Sequence, residues 1–181
     1  YSQWDAIGDS KYVLGHEPTG LPINVYEIKP QTPQGNLRNK KHPKIIYIGG
    51  IHGHERMCNY EDLRFFKDLV HNWKTNPNLE LLRSNVHFII VPVLSPWGFV
   101  NRSRTNSNGV DLNRNFEYLW TETPKGLTYS GPHPLSETES QLIDQLLSEH
   151  SDAILALDHH NYETLTVAGH VSWMGTRSDV L

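Results

Sequence analysis

Cysteine is almost absent from this chain. Cys58 is the only one in 181 residues, so no disulfide can form within it and the core has to hold the fold. Long apolar runs are missing as well. The longest, Phe88 to Leu94, contains Pro92 and falls far short of the ~20 residues of a membrane span. There is no basic excess: 16 Lys and Arg stand against 20 Asp and Glu, for a net charge of -4. Dedicated binders of nucleic acid or anionic membranes are basic, so that class is disfavoured. No signal-peptide pattern is visible, and the chain opens on Tyr1 rather than Met, which points to a processed or trimmed N-terminus and leaves the compartment unread. Repeats, low-complexity tracts and domain linkers are also lacking.

What is present is the composition of a folded domain, 37% hydrophobic and 20% charged. The length suits one domain over residues 1–181 with a sizeable core. Residues 2–8 read as a short helix closed by Gly8. Tyr12-Val13-Leu14 and Pro22 to Ile28 read as a hairpin around the breaker-rich turn 16–20. Residues 30–43, with three prolines, read as a surface loop. Lys44 to Ile48, Val86 to Val93 and Ala153 to Leu157 are apolar runs of the kind found in strands covered on both faces. A last strand is expected over Thr164 to Ala168.

Between those strands, Leu63, Phe66, Leu69, Val70 and Trp73 form a helical stripe from Asn59 onward. Leu79 to Arg83 adds a further turn, and residues 95–112 read as a long polar loop. Ser136 and Glu139 have capping-box spacing, ahead of a helix that buries Leu142, Ile143, Leu146 and Leu147. This alternation predicts an α/β three-layer sandwich: a central mixed, mostly parallel sheet with helices on both faces.

The chemistry-bearing stretch is Gly49-Gly50-Ile51-His52-Gly53-His54-Glu55-Arg56, a glycine-rich turn after a strand. Ligands of open α/β sheets bind outside the carboxyl ends of the strands. Imidazole nitrogen and carboxylate oxygen both suit Zn²⁺, and a catalytic zinc takes three protein ligands and leaves one position open. His52 and Glu55 are candidates for two of them. A third is expected at another strand end, where Asp158-His159-His160 stands. Successive strand side chains point to opposite faces, so one of the two histidines serves and the other does not.

His52-Gly53-His54-Glu55 resembles the His-x-x-Glu motif of the zinc carboxypeptidase family, the relatives of pancreatic carboxypeptidases A and B. Gly109-Val110-Asp111-Leu112-Asn113-Arg114-Asn115-Phe116 resembles that family's second signature. The segments Leu14 to Ile23, Pro92 to Gly98, Ser130 to Glu139 and Leu157 to Tyr162 resemble it in the same order, so the likeness spans nearly the whole chain. It implies a zinc-dependent hydrolase acting on the C-terminal peptide bond of peptides or proteins, with one Zn²⁺ per chain. It implies His52, Glu55 and His160 as metal ligands, with His159 the alternative to His160. It implies Asp111 as the carboxylate that orients His52, and Asn113 and Arg114 as the pair gripping the substrate's C-terminal carboxylate. Arg104 would stabilise the oxyanion, with Arg102 as its nearest competitor.

Two departures qualify the likeness. Ser95 stands where the family usually has Asn in an Asn-Pro-x-Gly turn. The family's general-base glutamate lies well beyond the third ligand, whereas Glu163 is the last glutamate in this sequence. The expectation is therefore a catalytic domain truncated at its C-terminus, poorly stable in isolation, or else a related deacylase or a non-catalytic zinc-binding module.

Overall fold

The apolar runs pair at the middle of one sheet. The computed structural model describes residues 2–31, 42–161 and 170–174. Among these, six strands occur: β1 (Ser10–His16), β2 (Pro22–Ile28), β3 (Lys44–Gly49), β4 (His87–Val91), β5 (Leu155–His160) and β6 (His170–Met174). Their order is β1-β2-β4-β3-β5-β6. The centre is parallel, with Ile46 opposite Ile89 and Ile48 opposite Asp158. Both flanks are antiparallel, β1 on β2 and β2 on β4 at one side, β6 on β5 at the other. A tight turn can join antiparallel neighbours, but parallel ones need a crossover of a dozen or more residues. Helices α1 (Arg56–His71) and α2 (Pro77–Asn85) provide that crossover between β3 and β4.

Alternate residues of the central strands feed two cores. Ile45, Tyr47, Phe88 and Ile90 pack with Phe66 and Leu69 of α1 and Leu79 and Leu82 of α2. Ile46, Ile48, Ile89 and Val91 pack on the other face with Ile143 and Leu146 of α4 (Thr138–Glu149). Helices on both faces make the three layers. No described helix is long and apolar enough to cross a membrane.

Several local expectations change. Residues 2–7 form turns rather than a helix, and they bury Trp4 and Ile7. The first long helix starts at Arg56, three residues before Asn59, and ends at His71; a 3-10 turn, Trp73–Thr75, follows it. Asn76 caps α2 by accepting from the Asn78 amide, with Pro77 at the first position, so the expected single turn extends to nine residues. The loop 95–112 contains a short helix, α3 (Pro96–Asn101). The capping box does not form. Glu137 is the cap residue of α4, Ser136 donates to the Glu137 carboxylate, and Glu139 turns into the interior. The run Ala153 to Leu157 is not fully buried: Ile154 is 66% exposed, and strand structure begins only at Leu155. Thr164 to Ala168, Glu163 and most of the loop 30–43 lie outside the described residues.

Candidate metal centre

The turn after β3 is built by close backbone approach. Gly50 adopts φ +61, a left-handed conformation that costs glycine least. The Leu94 and Ser95 amides donate to the Gly49 and Gly50 carbonyls at 3.0 Å, laying the segment after β4 against this turn. A Cβ on Gly53 would collide with the backbone of Gly98 and Phe99 in α3. The turn therefore holds its shape, and it delivers His52 and Glu55 to the same side.

Glu55 occupies the N-cap position of α1, where a carboxylate commonly accepts from the helix's first amides. Here it makes no such bond, because both oxygens face imidazoles. Oε1 lies 2.9 Å from His52 Nδ1, and Oε2 lies 3.0 Å from His160 Nδ1. The capping task passes to Asn161, whose Oδ1 accepts from the Cys58 amide at 3.3 Å, while its own amide donates to Glu55 Oε2 at 3.2 Å.

His52, Glu55 and His160 each offer one ligand atom, and these atoms lie within 4.8 Å of one another. His160 ends β5 next to the pairing of His159 with Gly49, so the adjacent ends of two parallel strands bring the donors together. His159 points the other way: its Nδ1 is 2.6 Å from Asp62 Oδ1 and 2.9 Å from the Tyr47 hydroxyl, on the α1 side of the sheet. The outer nitrogens of both metal-side histidines are also engaged. His52 Nε2–H donates to Asp111 Oδ1 at 2.9 Å, and His160 Nε2–H donates to Asp158 Oδ2 at 2.6 Å.

The electrostatics follow from this packing. Burial would keep the imidazoles neutral, but hydrogen bonds to Asp158 and Glu55 outweigh it and lift His160 to about 9. His52 is raised likewise: burial opposes, and Asp111 and Glu55 prevail. Burial would push Glu55 up, yet the hydrogen bonds from His160 and His52 hold it at about 2. Asp111 is lowered against burial by His52 and then Arg104. Among these carboxylates two imidazolium charges are stabilised, the same charge that a divalent ion would bring. The donor set, two nitrogens and a carboxylate oxygen with each imidazole backed by a carboxylate, fits zinc.

Around this group, Arg104 Nε and Nη2 donate to Asp111 Oδ2 at 3.0 and 2.8 Å, and its Nη1 stands 3.9 Å from Glu55 Oε1. Arg102 is exposed, at the left-handed C-cap of α3. A 3-10 turn, Leu112–Arg114, follows Asp111; the Asn113 amide donates to Asp111 Oδ1 at 3.1 Å, and the Arg114 guanidinium is exposed beside it. Asn115 is fully buried and ties the segment down. Its Nδ2 donates to the Ser130 and His133 carbonyls and to Ser136 Oγ, and its Oδ1 accepts from the Glu137 amide and Ser140 Oγ.

The structure thus brings together His52, Glu55, His160, Asp111 and Arg104, with Asn113 and Arg114 one turn further along. Sequence reasoning missed Asp158, Asn161, Asn115 and the Tyr47–Asp62 pair on His159. Asp158 could have been found from strand periodicity, since residues two apart share a face. The others depend on contacts between distant segments that leave no local pattern.

Comparison with known proteins gives a consistent picture. The zinc carboxypeptidase family profile matches residues 10–177. Carboxypeptidase SOL1 of Arabidopsis thaliana is 37% identical over 105 residues, covering 58% of this chain and 21% of that protein. Carboxypeptidase O of Homo sapiens is 30% identical over 162 residues, covering 78% and 42%. The crystal structure of the carboxypeptidase A from Helicoverpa armigera superposes with a TM-score of 0.70 at 26% identity, covering 84% of this chain and 41% of that one. The chain thus spans less than half the length of these relatives. With a family profile that runs through β1, the His52–Glu55 turn, the Asp111–Arg114 segment and β5, the chain belongs to the zinc carboxypeptidase family.

Proposed function

We propose that this chain carries the metal centre of a carboxypeptidase that cleaves the C-terminal peptide bond of peptides or proteins, with one zinc held by His52, Glu55 and His160. The observation that supports this most directly is the convergence of the three ligand atoms with a buried carboxylate behind each imidazole. The chemistry such an ion supplies is polarisation of a carbonyl and activation of water.

The chain's own groups have complementary tasks. Arg114 offers an exposed planar guanidinium, which matches a substrate carboxylate in a two-point contact that an ammonium cannot reproduce. Asn113 adds a neutral polar group next to it. Arg104, held by Asp111 at the rim of the ligand group, places positive charge where an oxyanion would develop, a contribution that is often the largest in such reactions. Asp111 joins these tasks, because one carboxylate orients both His52 and Arg104.

Metal content and hydrolysis test the reading together. Zinc per chain is measured for the parent and for His52→Ala, Glu55→Ala, His160→Ala and His159→Ala. About one zinc is expected in the parent and in His159→Ala, and loss in the other three. Loss in His159→Ala with retention in His160→Ala would reverse the assignment. Cleavage of a peptide with a free C-terminus should exceed that of its C-terminal amide, and Arg114→Ala should abolish the difference. Equal cleavage of the two peptides by the parent would refute the carboxylate-gripping role.

A further inference from the structure

We propose that Asp158 is the positioning residue for the third metal ligand, holding His160 in the ring orientation and tautomer that present Nδ1 to the ion. The inference rests on the metal-centre reading above and goes beyond it by giving His160 a dedicated partner.

Three observations carry it. The first is geometry: His160 Nε2–H donates to Asp158 Oδ2 at 2.6 Å, and that proton leaves Nδ1 as the ligating nitrogen. The second is rigidity. Asp158 and His160 are two apart on β5 and share a face, and Asp158 is paired in register with Ile48 of the central strand. Asp158 is only 2% exposed, so the ring is tied to the sheet rather than to a loop.

The third is exclusivity. Asp111 divides its oxygens among His52, Arg104 and the Asn113 amide. Among the described residues, Asp158 has His160 as its one hydrogen-bond partner, and its Oδ1 is buried with none. A buried carboxylate oxygen without a donor is costly, and a better-packed apolar residue would serve a purely structural strand end. The arrangement makes sense when Asp158 balances positive charge passed through the imidazole, as the outer carboxylates of metal-bound histidines do.

The test uses the full chain, with zinc alone as the probe. Affinity is measured by chelator competition for the parent, Asp158→Asn and Asp158→Glu. Cobalt(II) absorption spectra report the ligand field, and urea unfolding of the metal-free proteins reports the fold. The expected result for Asp158→Asn is a zinc affinity lower by about 10- to 100-fold, as for other outer partners of metal ligands. Its cobalt spectrum should be altered and its metal-free midpoint unchanged. Asp158→Glu, which restores the charge at a longer reach, should fall between the two. Parent-like affinity in Asp158→Asn would overturn the inference while leaving the metal centre intact. A lowered metal-free midpoint with equal zinc loss in both variants would make Asp158 structural and also overturn it. A parent chain that takes up no zinc would overturn the metal-centre reading itself, and this inference with it.

Discussion

Replacing Glu139 by Gln should change how stability depends on pH. Glu139 is fully buried near the start of α4. Its only side-chain donor among the described residues is Asn106 Nδ2, at 3.3 Å from each oxygen. The same nitrogen sits closer, at 2.7 Å, to Glu137 Oε2. Glu17, from the turn between β1 and β2, already accepts from the Thr19 and Leu21 amides. Of the three carboxyls, Glu139 is therefore the poorest in donors. Burial first, with the charges of Glu137 and Glu17 adding to it, raises its pKa from 4.5 to about 7.

The raised value means that the folded protein holds a proton the unfolded chain gives up sooner. The stabilisation is fully present below pH 4.5 and is lost as pH rises through about 7. At ~1.4 kcal/mol per pH unit between the two values, the loss amounts to roughly 3 kcal/mol. Gln carries no such linkage and keeps the shape. Urea unfolding of the parent and Glu139→Gln across pH 4 to 8 isolates the effect, since every other titrating group is common to both. The variant's midpoint should gain on the parent's by roughly 1–2 M between the ends of the range. Parallel curves would refute the reasoning.

Two further substitutions probe the frame around the centre. Gly53→Ala should lower zinc affinity and stability together. Gly53 lies outside the left-handed region, so the damage is steric: the new Cβ meets backbone of Gly98 and Phe99, and relief must move His52 and Glu55. A cost of about 1–3 kcal/mol is expected from urea unfolding, with zinc content reduced in the same sample, and parent-like values for both would contradict it. Asn115→Ala should cost about 2–4 kcal/mol, because the buried Glu137 amide loses its acceptor and the Ser130 carbonyl and Ser140 hydroxyl each lose one of two partners. It should also weaken binding of peptides with a free C-terminus through Arg114, read as a raised KM, and a change in kcat alone would count against this role.

The substitutions touch different levels of the sequence-to-structure relation. The central strands could be read because runs such as Ile45 to Ile48 and Phe88 to Val91 are apolar on both faces, and only a covered sheet hides both. The stripe Phe66 and Leu69 marked α1 for the same kind of reason. Helix ends were harder. The first turn of α1 carries little apolar periodicity, because it is shaped by Glu55 and Asn161 rather than by core contacts. The apparent capping box at Ser136 failed because Asn115 and Asn106 compete for the same polar groups from distant segments.

At the centre itself, local sequence determined which residues could be ligands: a His and a Glu three apart in a glycine turn, and a histidine pair at a strand end. It also carried the Asp111–Arg114 signature. Tertiary structure decided which histidine faces the other two donors. Asp62 and Tyr47 on the α1 side take His159, and the pleat then sends His160 to Glu55. Only the packed sheet could set Asp158 against His160 and Arg104 against Asp111. Those contacts join residues far apart in the chain, and their positions are set by strand register and helix packing, which no short stretch of sequence contains.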